Sequence, residues 1–370
     1  MKKFFYLSIS LFLILTSCSQ KEDYSKIILE TSGFSDSTKI FLFNHETEKQ
    51  DSGYIINNHL VFSAEVNEPT LFSIRTVFNH KKREEFENKL FWKENNSLTI
   101  KAEKGNLKNA KIEGSVIQKQ ADIVELRQFQ LKQNYDSLIK EYSALPKEET
   151  EKRLALSAQR REISQAIKDV ETNYIKDNPD QLYSAFTLKR LMTYTIPKDK
   201  TKELFENLSD RMKASSYGIS IKKYLDLSLD LKIGDKAPDF QLPDLDGNLI
   251  GLSNFEGKYI LLDFWSSNCN PCTLELPNML KNYQAYRDRG FEIISISFDK
   301  KREDWENATK QYNMIWSTVC DFKGSDGDVI MSYKVYFMPT YFLIDPNGII
   351  IDKFLGTGQL DEKLKTIFAI

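Results

Sequence analysis

Tyr259-Ile260-Leu261-Leu262-Asp263-Phe264-Trp265-Ser266-Ser267-Asn268-Cys269-Asn270-Pro271-Cys272-Thr273-Leu274-Glu275-Leu276-Pro277 is the stretch whose reading decides the fold. Its first part, Tyr259 to Trp265, is apolar but for one acid, a pattern that predicts a buried strand. A helical stretch follows from Cys272 to about Arg287, and a second apolar strand runs from Phe291 to Phe298. Strand, helix and strand make a βαβ unit. Further along, the pattern predicts a helix over Lys301 to Tyr312 and a strand at Thr340 to Ile344. The turn Asp345-Pro346-Asn347-Gly348 joins that strand to Ile349 to Phe354, and a helix closes the chain. A parallel start and a hairpin finish predict a mixed α/β sheet with helices on both faces.

Cys269 and Cys272 fall where the first strand ends and its helix begins. A zinc site needs four ligands, and this region offers only Cys320 besides the pair, with no histidine. The spacing therefore points to dithiol chemistry. A thiol at a helix N-terminus meets unpaired N–H groups and the positive end of the helix dipole, which favour thiolate over thiol. Cys269, first and more exposed, is expected to be the nucleophile. Cys272, one turn inside, is placed to attack the mixed disulfide and release the partner.

Residues 233 to 370 resemble TlpA/ResA-type thiol-disulfide oxidoreductases of the thioredoxin superfamily. The resemblance rests on Ile233-Gly234-Asp235-Lys236-Ala237-Pro238-Asp239-Phe240, on the strand Tyr259 to Trp265, on the cysteine pair leading into Glu275-Leu276-Pro277, and on Met338-Pro339-Thr340. It implies a thioredoxin-like fold and a cis peptide bond before Pro339, with the Met338 backbone beside Cys269 to pair with a substrate segment. It further implies a buried acid at Asp263, able to exchange a proton with Cys272, and an acid at Glu275 near the active site. Trp265 and Pro271 complete the expected substrate side, Trp265 chiefly as core packing. Cys320 reads as a small buried hydrophobe. No metal and no cofactor are expected. The expected partners are disulfide-containing proteins and an upstream electron donor, with the reducing direction favoured.

The sequence departs from the family at Asn268, where the family usually has Trp, and in the Asn270-Pro271 dipeptide. A peroxiredoxin-like peroxidase would carry Pro-x-x-x-Thr-x-x-Cys, but Leu262 and Ser266 occupy the two positions. The rival from another class is a binding or scaffold lipoprotein in which the redox domain is not the main activity.

Upstream, from Ile27 to about residue 115, apolar residues alternate, as in Leu60, Phe62, Ala64 and Val66 or Leu98, Ile100 and Ala102. This period of two predicts a small antiparallel β domain, which resembles an N-terminal domain often fused to such oxidoreductases. From about residue 116 to 232 the period becomes helical. Val124, Leu131, Tyr135, Leu138, Tyr142 and Leu145 form one run that stops at Pro146, and Leu156, Ile163, Ile167, Val170 and Tyr174 form another. An antiparallel pair is expected, followed by shorter helices over 181–192 and 201–227.

At the N-terminus Lys2 and Lys3 precede an apolar run from Phe4 to Leu15, too short to remain as a bilayer span. Leu15-Thr16-Ser17-Cys18 resembles a bacterial lipobox, which implies a signal peptide over 1–17, acylation of Cys18 and a linker over 18–26. The lipid anchors the chain to a membrane without spanning it. Ser19 in place of an Asp favours the outer membrane of a Gram-negative envelope. Gln20-Lys21-Glu22-Asp23 resembles a short surface-export signal. The whole chain has 370 residues, 51 Lys and Arg against 53 Asp and Glu, and 41% apolar residues. That balance excludes a disordered chain and a basic nucleic-acid binder.

Overall fold

The computed structural model describes residues 25–76, 87–193, 195–356, 358 and 360–368. Cys18, the apolar run before it and the charged segment after it lie outside the described residues. The chain divides into two compact units, one ending at Arg127 and one beginning at Gln128.

In the first unit, β1 (Lys26–Ser32), β2 (Lys39–Asn44), β3 (Gln50–Tyr54), β4 (His59–Ser63), β5 (Thr70–Thr76), β6 (Asn88–Lys93), β7 (Leu98–Glu103) and β8 (Lys111–Glu113) form two sheets. Their orders are β4-β1-β7-β8 and β3-β2-β5-β6. Pairing is antiparallel except between β1 and β7, which run parallel. Ile27, Leu29, Leu98 and Ile100 from one sheet and Ile40, Leu42, Phe72 and Ile74 from the other share one core. The period-two alternation is what puts those side chains on one face.

Helix α1 (Val116–Ala144) continues into the second unit, where α2 (Thr150–Asp177) follows it after the break around Pro146. Helices α3 (Leu182–Leu191), α4 (Lys198–Asn207), α5 (Asp210–Lys213) and α6 (Ser216–Leu227) come next. The helical stretch expected over 201–227 is divided among three helices, α4, α5 and α6. Ser209 and Ser215 interrupt it, their side chains accepting from the Met212 and Gly218 N–H groups as N-caps. Gly218 fits because a β-carbon there would lie 2.2 Å from the Met212 carbonyl oxygen.

The remaining elements are β9 (Leu242–Pro243), β10 (Leu249–Ile250), β11 (Tyr259–Trp265), α7 (Asn270–Tyr286), β12 (Phe291–Ser297), α8 (Arg302–Gln311), β13 (Ser317–Val319), α9 (Asp328–Ser332), β14 (Thr340–Ile344), β15 (Ile350–Phe354) and α10 (Leu360–Ile367). The main sheet has the order β13-β12-β11-β14-β15. Strands β11, β12 and β13 are parallel, while β14 and β15 are antiparallel to their neighbours. Leu261, Trp265, Ile293, Tyr341 and Leu343 face α7, α8 and α10, and Leu262, Phe264, Ile294 and Phe342 face α9. The fold is thioredoxin-like, with Asp263 on the same face as α7 because it shares parity with Leu261 and Trp265. The short β13 and α9 escape the sequence pattern. At three and five residues they are too brief for periodicity to register.

Helices α3 to α6 are not separate from this fold. Met331 of α9 is buried in a cluster with Leu188, Leu191, Ile221 and Tyr224, and Asp326 accepts from Lys189 (2.8 Å) and Ser220 (2.6 Å).

Candidate active site

Strand β11 delivers its chain end to the N-terminus of α7. Cys269 is the N-cap residue, its Sγ accepting from the Cys272 N–H at 3.2 Å, and Pro271 occupies the first turn, where a missing N–H costs nothing. A disulfide joins Cys269 and Cys272, with their Cα atoms 5.2 Å apart. Cys269 is half-buried and Cys272 is 1% exposed. The two sulfurs are thus unequal in access, and the outer one faces the helix N-terminus.

The loop that presents Cys269 is clamped from below. Ser267 donates to the buried carboxylate of Asp299 through its N–H (3.1 Å) and its Oγ (2.6 Å), and Ser297 Oγ donates to the same group at 2.6 Å. Sequence reading missed Asp299, although an acid directly after the apolar run Phe291 to Phe298 is a signal that could have found it.

Asp263 is 1% exposed and lies opposite Ser295 on β12 and Tyr341 on β14. Ser295 Oγ donates to Asp263 Oδ2 at 2.6 Å, and Trp316 Nε1 donates to Ser295 Oγ at 2.8 Å. Burial pushes the Asp263 carboxyl up to about 7, against the pull of the Ser295 hydrogen bond. Burial also drives the Tyr341 hydroxyl well above its ordinary value, helped by the charges of Asp263 and Glu275. Both acids therefore act on one buried tyrosine. Glu275 is half-buried one turn beyond Cys272, and a β-carbon at Gly356 would lie 3.9 Å from its Oε1.

The Met338–Pro339 peptide bond is cis. Met338 and Cys269 both pack against the cluster that contains Cys272 and Trp265. Cys272 and Trp265 thus belong to one apolar cluster that Cys269 and Met338 border. Pro271 is exposed beside the sulfurs, whereas Trp265 is 0% exposed and supports the site from within the core without offering surface to a substrate. Cys320 is fully buried, accepts from the Phe322 N–H at 3.3 Å, and burial pushes its thiol up to about 12. Among the described residues, no group of three or more His, Cys, Asp or Glu side chains could hold a metal ion.

A pair of cysteines at a strand-to-helix junction in this sheet defines a thioredoxin-fold dithiol protein. The family profile and the sequence relatives agree. The AhpC/TSA family profile matches residues 233–353, and a domain of unknown function, DUF4369, matches residues 25–121. The thiol-disulfide oxidoreductase ResA of Bacillus thuringiensis subsp. konkukian (strain 97-27) is 39% identical over 140 residues, which are 37% of this chain and 79% of that protein. ResA of Bacillus subtilis (strain 168) is 35% identical over 124 residues, 34% of this chain and 68% of that protein. The solved thioredoxin domain of a thiol-disulfide oxidoreductase from Bacteroides vulgatus has 37% identity, covers 38% of this chain and 99% of that one, and superposes with a TM-score of 0.36. The chain belongs to the ResA-like thiol-disulfide oxidoreductases, with a DUF4369 domain preceding its redox domain.

Proposed function

We propose that this thiol-disulfide oxidoreductase is a lipid-anchored protein of a Gram-negative cell envelope that reduces disulfides in other proteins. The observation that carries the reading is the unequal pair at the start of α7, Cys269 half-buried as N-cap and Cys272 buried. The Cys269 thiolate attacks one sulfur of the substrate disulfide and forms a mixed disulfide, releasing the other substrate sulfur as a thiolate. Cys272 then attacks Cys269, which frees the second substrate sulfur and leaves the internal disulfide found in the structure. The substrate gains two electrons and the protein loses them, so an upstream dithiol donor must return them.

Asp263 is the proton acceptor for Cys272 in the second step, directly or through water, because it is a buried acid poised near neutrality. Glu275 supports the same step from the helix face, and Met338, Pro339 and Pro271 border the place where the substrate sulfur approaches. Wrong disulfides form in an oxidising compartment, and a dedicated reductant there corrects them or delivers reduced cysteines to metal or haem assembly. Among the described residues no helix is long and apolar enough to cross a membrane. Reduction of a model protein disulfide by the pre-reduced protein tests the direction. Rapid stoichiometric reduction, one disulfide per dithiol, supports this direction, and activity only in oxidising a reduced substrate overturns it.

A further inference from the structure

Away from the dithiol, the hairpin of α1 and α2 carries a cavity of about 460 Å³ lined by Tyr135, Ser157, Arg160, Arg161, Ser164, Gln165 and Lys168. The α2 members lie at i, i+3, i+4, i+7, i+8 and i+11, so they form one continuous stripe on that helix, and Tyr135 closes it from α1. Three cations and three hydroxyls line the cavity, and no carboxylate does.

Several of the hairpin's other charges have partners. Arg153 donates to the carbonyls of Tyr142 (3.2 Å) and Leu145 (2.9 Å), Lys152 pairs with Glu149, Lys176 with Glu203, and Glu171 with Arg190. Among the described residues the cavity's cations have no such partner. Arg160 is held by the rings of Tyr135 and Tyr142, its guanidinium carbon 5.5 and 5.4 Å from their centroids, and its Nε is buried without an acceptor. Among the described residues none of Arg160, Arg161 and Lys168 has an ion-pair partner. A fixed, half-buried guanidinium beside two more cations repels its neighbours unless an anion joins them.

We propose that this cavity is an anion site for a phosphoryl group, with Arg160, Arg161 and Lys168 as its charges and Ser157, Ser164 and Tyr135 as its hydroxyl donors. Guanidinium forks match carboxylate and phosphate alike, but three cations and three hydroxyls lining one cavity suit the greater charge and larger number of acceptor oxygens of a phosphoryl group. The cavity is larger than one phosphate, so the group arrives on a carrier, either a soluble phosphate ester or a phospholipid headgroup. The site is independent of the dithiol reading.

The test compares the full chain with its Arg161→Gln/Lys168→Gln variant and with a control variant, Lys132→Gln/Lys140→Gln, which removes two exposed α1 lysines outside the cavity. All three carry the same N-terminus, so any contribution of that segment cancels. Binding of inorganic phosphate is read by calorimetry, and binding to phosphatidylglycerol vesicles, with phosphatidylcholine vesicles as reference, by sedimentation. The cavity variant should weaken binding about tenfold or more relative to wild type, since charge-assisted hydrogen bonds are lost, and the control should change little. Loss with phosphate alone assigns a soluble ester, and loss on anionic vesicles beyond that for phosphate assigns a headgroup. No binding of either probe by wild type, or equal loss in the control, would overturn the site.

Discussion

Ser295 on β12 donates a 2.6 Å hydrogen bond to the carboxyl of Asp263 on β11, and both residues are buried. Trp316 holds that serine from the other side, so the hydroxyl proton is directed at the acid. A hydrogen bond to a carboxylate favours its ionised form, which opposes the effect of burial. Replacing Ser295 by Ala should therefore raise the Asp263 pKa, by about one unit or more given about 1.5–3 kcal/mol for a bond to a charged group. The pH profile for release of the mixed disulfide should move to higher pH by that amount. Trp316→Phe should move it the same way by less, and an unmoved profile in Ser295→Ala would show that Asp263 does not serve the step.

Asp263 also makes a stability statement. Its folded pKa of about 7 lies above the value of about 3.9 expected in the unfolded chain, so between these values the folded state keeps a proton that the unfolded state has lost. Stability should fall as pH rises from about 4 to about 7 and level off above. Asp263→Asn should remove that slope and be the more stable protein at pH 8, by up to about 4 kcal/mol. Urea unfolding at pH 5 and pH 8 checks this, and an equal pH dependence in both proteins would contradict it.

Cys320 should behave as a packed side chain. With its thiol buried and pushed up to about 12, alkylation of the reduced native protein near neutral pH should leave it unlabelled, and denaturation should expose it. Peptide mapping after labelling reads the result. Rapid native labelling of Cys320 would make it a third redox thiol.

The redox domain should depend on the helices before it. Burial pushes the Asp326 carboxyl up, but the charge and hydrogen bond of Lys189, with Ser220 and Lys223, hold it below the ordinary carboxylate range, and Met331 is buried beside Ile221 and Tyr224. A fragment of residues 233–370 contains the whole five-stranded sheet and should fold, yet exposure of Met331 alone should cost about 1.5–3 kcal/mol. Denaturant unfolding of the fragment and of the full chain should show this difference for the sheet. A fragment as stable as the full chain would show that α3 to α6 contribute nothing to it.

Much of the site was legible because single residues announce it. The apolar run Tyr259 to Trp265 became β11 with the expected ends, and the cysteine pair fell on the strand-to-helix junction. The partners that reach across the sheet were harder to read. Ser295 and Ser297 look like interruptions in an apolar run, and only the parallel register that sets Ser295 against Asp263 gives the first its role. The helical region hid its attachment for a similar reason. Asp326 and Lys189 are 137 positions apart, and no local pattern links them. Ser209 and Ser215 were readable as caps in hindsight, being serines inside an otherwise helical period.

In the proposed cycle Cys269 attacks substrate and Cys272 resolves the mixed disulfide. Covalent trapping on a model protein disulfide, with the Cys269→Ser and Cys272→Ser variants compared under non-reducing conditions, tests it most directly. Both variants should lose turnover, but only Cys272→Ser should accumulate partner complexes, joined through Cys269. Equal trapping by both variants, or complexes joined through Cys272, would contradict the assignment.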